Sequence, residues 1–132
     1  MAVYEIDGEN FSTLEEFYDE VSRVLVPNMS WGRNLDALND ILHGGFGTPE
    51  DGFTLRWLNH ELSRERLGYP ETVRQLEMSL ERSHPSHRER IRTELAQARA
   101  GKGATVFDWL REIIDGHPTG FPPRGTVELV LA

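Results

Sequence analysis

Three short apolar runs, Ala2–Ile6, Phe53–Leu58 and Thr126–Leu131, are separated by long stretches of helical periodicity. That spacing constrains the fold more than any other feature of the chain. Antiparallel neighbours can be joined by a tight turn, whereas parallel neighbours need a crossover of a dozen residues or more, usually helical. Strand, helices, strand, helices, strand therefore predicts right-handed crossovers and an α/β domain with a three-stranded parallel sheet packed with helices. The chain has 132 residues and a 38% apolar fraction, enough for one core, so one domain over 1–132 is expected.

The helical stretches have legible boundaries. Asp7-Gly8 ends the first run, and Ser12 with Glu15 three residues on forms a capping box. Leu14, Phe17, Val21, Val24 and Leu25 then recur at helical spacing until Pro27-Asn28. A second helix is expected over 34–43, with Leu35, Leu38, Ile41 and Leu42 inward and Asp36, Asn39, Asp40 and His43 outward. Thr48 to Gly52 is turn material, and Phe53, Leu55 and Trp57 share one strand face. Residues 60–99 read as one short and two longer helical pieces, broken at Gly68-Tyr69-Pro70 and His84-Pro85-Ser86. Thr105 caps a further helix carrying Val106, Trp109, Leu110 and Ile113, and a Pro/Gly-rich loop follows from Asp115 to Gly125.

Charge narrows the partners. Residues 1–62 hold twelve acids against three bases, residues 63–103 six against nine, and residues 104–132 four against two, within a net charge of −8. The negative first half would repel phosphates, so direct nucleic-acid binding there is disfavoured. A basic protein would be attracted and steered. Without cysteine there is no disulfide, thiolate catalysis or Cys-based zinc site, in keeping with a cytoplasmic address. No run of about 18 apolar residues points to a membrane span, and Met-Ala-Val-Tyr-Glu-Ile-Asp-Gly has neither the basic nor the long apolar region of a signal peptide.

The chemistry-bearing candidates concentrate in Trp31 to Gly47. Asp36 and Asp40 lie four residues apart and so share a helix face. The bland alternative is a solvated face, and Asp36 would be favourable at a helix N-terminus in any case. As an acid/base pair they would need a nucleophile, an oxyanion donor or a metal nearby, and none is evident, so an enzyme is not expected. Gly44-Gly-Phe-Gly47 follows a helix C-terminus, the wrong pole for an anion. His84-Pro-Ser-His87 could be half a metal site but reads better as a helix boundary, and His43, His60 and His117 lack ligand spacing. No cofactor or metal is expected.

Trp31-Gly32 through Asp40, with the first strand, Asp7-Gly8, the Leu55-x-Trp57 strand and the final apolar strand, resembles the barstar family of ribonuclease inhibitors. The resemblance covers 1–58 and 104–132 in order, with 60–103 as a helical insertion. Gly32, Asn34, Leu35, Asp36, Ala37, Leu38 and Asp40 fit in register. It implies that the second helix and the loop before it enter a nuclease active site where RNA phosphates would bind. Asp36 and Asp40 then match the principal inhibitory acids, with Asp40 the central charge. Gly32 and Asn34 match the contacting loop and helix start, His43 and Gly44 the helix-end contacts, and Glu112 a peripheral acid. Trp31 and Asn39 belong to the same face.

Three aromatic contact positions of the family are Ser30, Asn39 and Gly45 here, which counts against barnase itself as the target. The function so implied is an immunity-type inhibitor of a basic extracellular or toxin ribonuclease. The alternative is a non-enzymatic interaction module with a non-nuclease partner, engaged through the basic 63–103 segment. Oligomeric state is left open by the sequence.

Overall fold

The computed structural model describes residues 2–28, 30–42, 52–115 and 126–132. The elements run β1 (Val3–Asp7), a 3-10 turn (Gly8–Asn10), α1 (Leu14–Val24), α2 (Leu35–Leu42), β2 (Gly52–Leu58), α3 (His60–Arg66), α4 (Tyr69–Arg82), α5 (Pro85–Arg99), α6 (Val106–Asp115) and β3 (Thr126–Leu131). The three strands form one parallel sheet in the order β1-β2-β3, with Val3 opposite Thr54 and Gly52 opposite Thr126. This is the expected α/β architecture. β1 is displaced one residue from its expected span, because Asp7 still pairs with Leu58 before the chain turns.

One face of the sheet builds the core. Ile6, Phe53, Leu55, Trp57 and Val127 are buried there against Phe11, Phe17, Val21, Leu38, Ile41, Phe107 and Leu110 from the helices. Trp57 is the hub: its ring lies 5.6 Å from Phe17 and 5.1 Å from Phe107, and its indole N–H donates to Ser63 Oγ at 2.9 Å. Each large apolar side chain so buried contributes about 1.5–3 kcal/mol. The opposite sheet face holds Val3, Glu5 and Glu128, all exposed, with an ion pair from Arg56 to Glu5 at 2.5 Å.

The α1 cap sits one residue later than the expected Ser12–Glu15 pair. Thr13 is the N-cap, its hydroxyl accepting from the Glu16 N–H at 3.2 Å, while the Glu16 carboxylate accepts from the Ser12 N–H at 2.9 Å. Thr105 and Asp108 make the matching box on α6, with the Thr105 N–H donating to Asp108 at 2.9 Å.

Gly8 is required by close approach. A Cβ built there would lie 2.3 Å from Ser63 Oγ and 2.6 Å from the Asn59 carbonyl oxygen. Gly8→Ala is expected to cost about 1–3 kcal/mol by overpacking, read as a lower urea midpoint with unchanged slope.

Within the segment 60–103, α3 is tied to the main core by the buried Ser63, which meets Trp57, and by Leu67 at its C-cap. The α4–α5 hairpin instead has a small core of its own, made of Leu76, Ile91, Leu95 and Ala98. It is fastened by buried polar groups. Glu71 accepts from the Leu14 N–H at 2.8 Å and from Arg74 Nε at 2.6 Å. Arg74 also reaches Glu15 at 2.5 Å. These contacts with Glu71 and then Glu15 push the Arg74 pKa up, so it stays cationic. Burial alone would raise the Glu15 carboxyl, but hydrogen bonds from Arg74 and Gln75 help hold it below its ordinary value. Thr72 accepts from the Val106 N–H at 2.9 Å, tying the hairpin to α6.

Candidate functional site

The loop from Ser30 to Asn34 is fastened before α2 begins. Trp31 is half-buried; its indole N–H donates to Ser22 Oγ at 2.7 Å and its ring meets Tyr18 edge-on at 5.5 Å. Trp31 therefore anchors the loop to α1 rather than standing free toward solvent. Arg33 adopts a left-handed backbone, with φ 52°, and its guanidinium pairs with Asp19. Gly32 is exposed, and its carbonyl accepts from the Asn34 side-chain amide at 3.3 Å.

Asn34 is the helix cap. Its Oδ1 accepts from the Ala37 N–H at 2.8 Å, satisfying one of the amides left without a partner at a helix start. Among the described residues the helix is Leu35–Leu42; it starts one residue after the expected Asn34, which lies outside as cap, and the expected end at His43 lies outside the described residues. Leu38, Ile41 and Leu42 are buried and Leu35 is half-buried, as the periodicity predicted. Asp36, Asn39 and Asp40 are exposed on the other side. Gly32, Asn34, Asp36, Asn39 and Asp40 thus share one loop-and-helix surface.

The two carboxylates differ in their local support. Asp36 lies in the first turn of α2, where the helix dipole favours negative charge. Asp40 lies one turn further on, away from that favourable start and four residues from Asp36 on the same face, where like charges disfavour each other. Neither has an ion-pair partner among the described residues. Helix stability accounts for Asp36 but not for Asp40.

The remaining candidates divide. Glu112 is exposed on α6 at a small depression with Glu94, Lys102 and Trp109. Asp36 lies in a different cleft that shares the Trp109 and Glu94 walls. His43 and Gly44, with Gly45 and His117, lie outside the described residues. His84 caps α5, its Nδ1 accepting from the Ser86 N–H at 3.2 Å. No group of three or more metal-ligating side chains gathers among the described residues. Among them, no helix is long and apolar enough to cross a membrane.

Ser22, Tyr18 and Asp19, which hold the loop before α2, do not stand out by periodicity. They are ordinary α1 residues by sequence, and only Trp31 and Arg33 folding back give them a role.

Comparison with known proteins bears on this surface. The family model described as Barstar (barnase inhibitor) matches residues 1–96. The match runs from β1 through most of α5, so it takes in residues 60–96 of the 60–103 segment expected as an insertion, and it stops before α6 and β3. No curated protein sequence matches significantly.

Proposed function

This chain belongs to the barstar family, and on that premise we propose that it inhibits a microbial ribonuclease by placing the α2 face and its preceding loop into the enzyme's active site. Residues 1–132 act as one domain in this reading. Asp40 is the central charge and Asp36 its partner, both standing where RNA phosphates would bind. Gly32 and Asn34 shape the docking loop, Trp31 holds it, and Asn39 contributes a contact where an aromatic ring would select barnase. His43, Gly44 and Glu112 supply the edge. The protein acts as an immunity factor in the cytoplasm of the cell that makes the nuclease.

The observation that carries the reading is Asp40. An exposed carboxylate four residues from Asp36 on the same helix face, without a counter-charge among the described residues, is a local like-charge cost that an incoming cation would offset. The loop beside it is already fixed by Ser22, Asp19 and the Asn34 cap, so little ordering entropy remains to oppose binding.

The test is inhibition of RNA cleavage by a panel of basic microbial ribonucleases, barnase included. Stoichiometric inhibition of at least one is expected. The association rate should fall about tenfold or more between about 50 and 500 mM salt, because opposite fields steer the encounter and screening weakens them. Inhibition of none, at micromolar inhibitor, would remove the proposal.

A further inference from the structure

A cleft of about 700 Å³ opens directly beside Asp36. One wall is the start of α2, with Asn34, Leu35 and Asp36; the other is the α4–α5 hairpin, with Gln75, Ser79, Arg90 and Glu94. Leu76, Ile91 and Trp109 give it an apolar lining. A second depression, about 450 Å³, shares the Leu14, Tyr18, Asn34 and Gln75 walls and runs past Arg33. The hairpin therefore stands alongside the acidic face as a second bank.

The chemistry of this cleft selects its occupant. Two carboxylates, Asp36 and Glu94, border an apolar lining that includes an indole. An aliphatic stem ending in a cation suits all three: the stem lies on Leu35 and Ile91, the indole favours the charge, and the carboxylates accept its hydrogen bonds. In the free protein Glu94 is engaged only loosely, by the largely exposed Arg90 at 3.9 Å. Exposed pairs of this kind contribute little and are easily exchanged.

We propose that this cleft receives an arginine or lysine side chain of the same ribonuclease that α2 blocks, so that α5 contributes to partner selection. The inference rests on the inhibitor reading and adds a contact region to it. Glu94 accepts the partner's cation, and Arg90 competes for the same carboxylate.

Opposite signs test it. Against the ribonucleases inhibited in the panel, Glu94→Arg is expected to raise the inhibition constant about tenfold or more, as a misplaced charge at an interface does. Arg90→Ala is expected to lower it a few-fold, because the competing cation is gone. Both positions are exposed on α5, and unchanged melting of each variant confirms that the fold is intact. A double variant of Asp36→Asn with Glu94→Gln should show less than the summed loss, since both carboxylates hold one cation. If Asp40→Ala abolishes inhibition while Glu94→Arg and Arg90→Ala leave it unchanged, the cleft is not a contact and the inhibitor reading stands. If no nuclease in the panel is inhibited, both fall together.

Discussion

Asp40→Ala is expected to weaken ribonuclease inhibition by about 2–5 kcal/mol, or about 30- to several-thousand-fold in Kd, the cost of truncating one partner of a buried, hydrogen-bonded charge pair. Barnase and barstar are among the complexes in which that range is observed. The loss should appear mainly as faster dissociation, read by surface-based kinetics or by chasing the complex with excess wild-type inhibitor. Stability should not fall with it. Asp40 is exposed and faces Asp36 as a like charge four residues away, so its removal leaves melting unchanged or slightly raised. Glu89→Ala, another exposed carboxylate, on α5, is the control and should leave inhibition intact. Equal inhibition by wild type and Asp40→Ala would show that the α2 face is not the contact.

Trp57→Ala is expected to have the largest effect on the fold. Trp57 is fully buried, with rings of Phe11, Phe17 and Phe107 around it and Ser63 receiving its N–H. Removing it loses transfer energy and leaves a cavity between α1, α6 and the sheet, at about 3–5 kcal/mol. That is a large share of the about 5–15 kcal/mol that holds a domain of this size together. A fall of about 10–20 °C in the melting midpoint is expected. Trp57→Phe should cost less, since most of the apolar surface survives, but the Ser63 hydroxyl then loses its donor. An unchanged midpoint for Trp57→Ala would mean that the core is not organised around this ring.

The strand spacing, the inward stripe of α2 and the breaks at Gly68 and His84 were legible because each is a local pattern. The cap of α1 was legible only to within one residue. Ser12-Thr13 is followed by Glu15-Glu16, so two overlapping boxes fit the sequence equally well, and packing selects Thr13 with Glu16. The polar clamps were not legible. Glu71 reaches the Leu14 amide, Thr72 the Val106 amide and Arg66 the Gly8, Glu9 and Phe11 carbonyls, each from far along the chain. Periodicity alone treats those side chains as solvated surface, and only the tertiary fold shows that they staple helices. The same holds at the site: the Asp36 and Asp40 face follows from helical spacing, while the cleft wall supplied by Arg90 and Glu94 depends on how the hairpin docks.

The parallel sheet has a kinetic consequence. Its ladders join Val3 to Thr54 and Gly52 to Thr126, so neither can close before a long loop has been ordered. The α4–α5 hairpin, joined by one short break at Ser83 and His84, needs no such closure. Local contacts form quickly and non-local ones slowly. Refolding should therefore begin in the hairpin and finish in the sheet. The acidic helix packs on α6 and its inward side belongs to the core that the sheet closes, so the chain acquires secondary structure well before it acquires a surface that any partner could recognise.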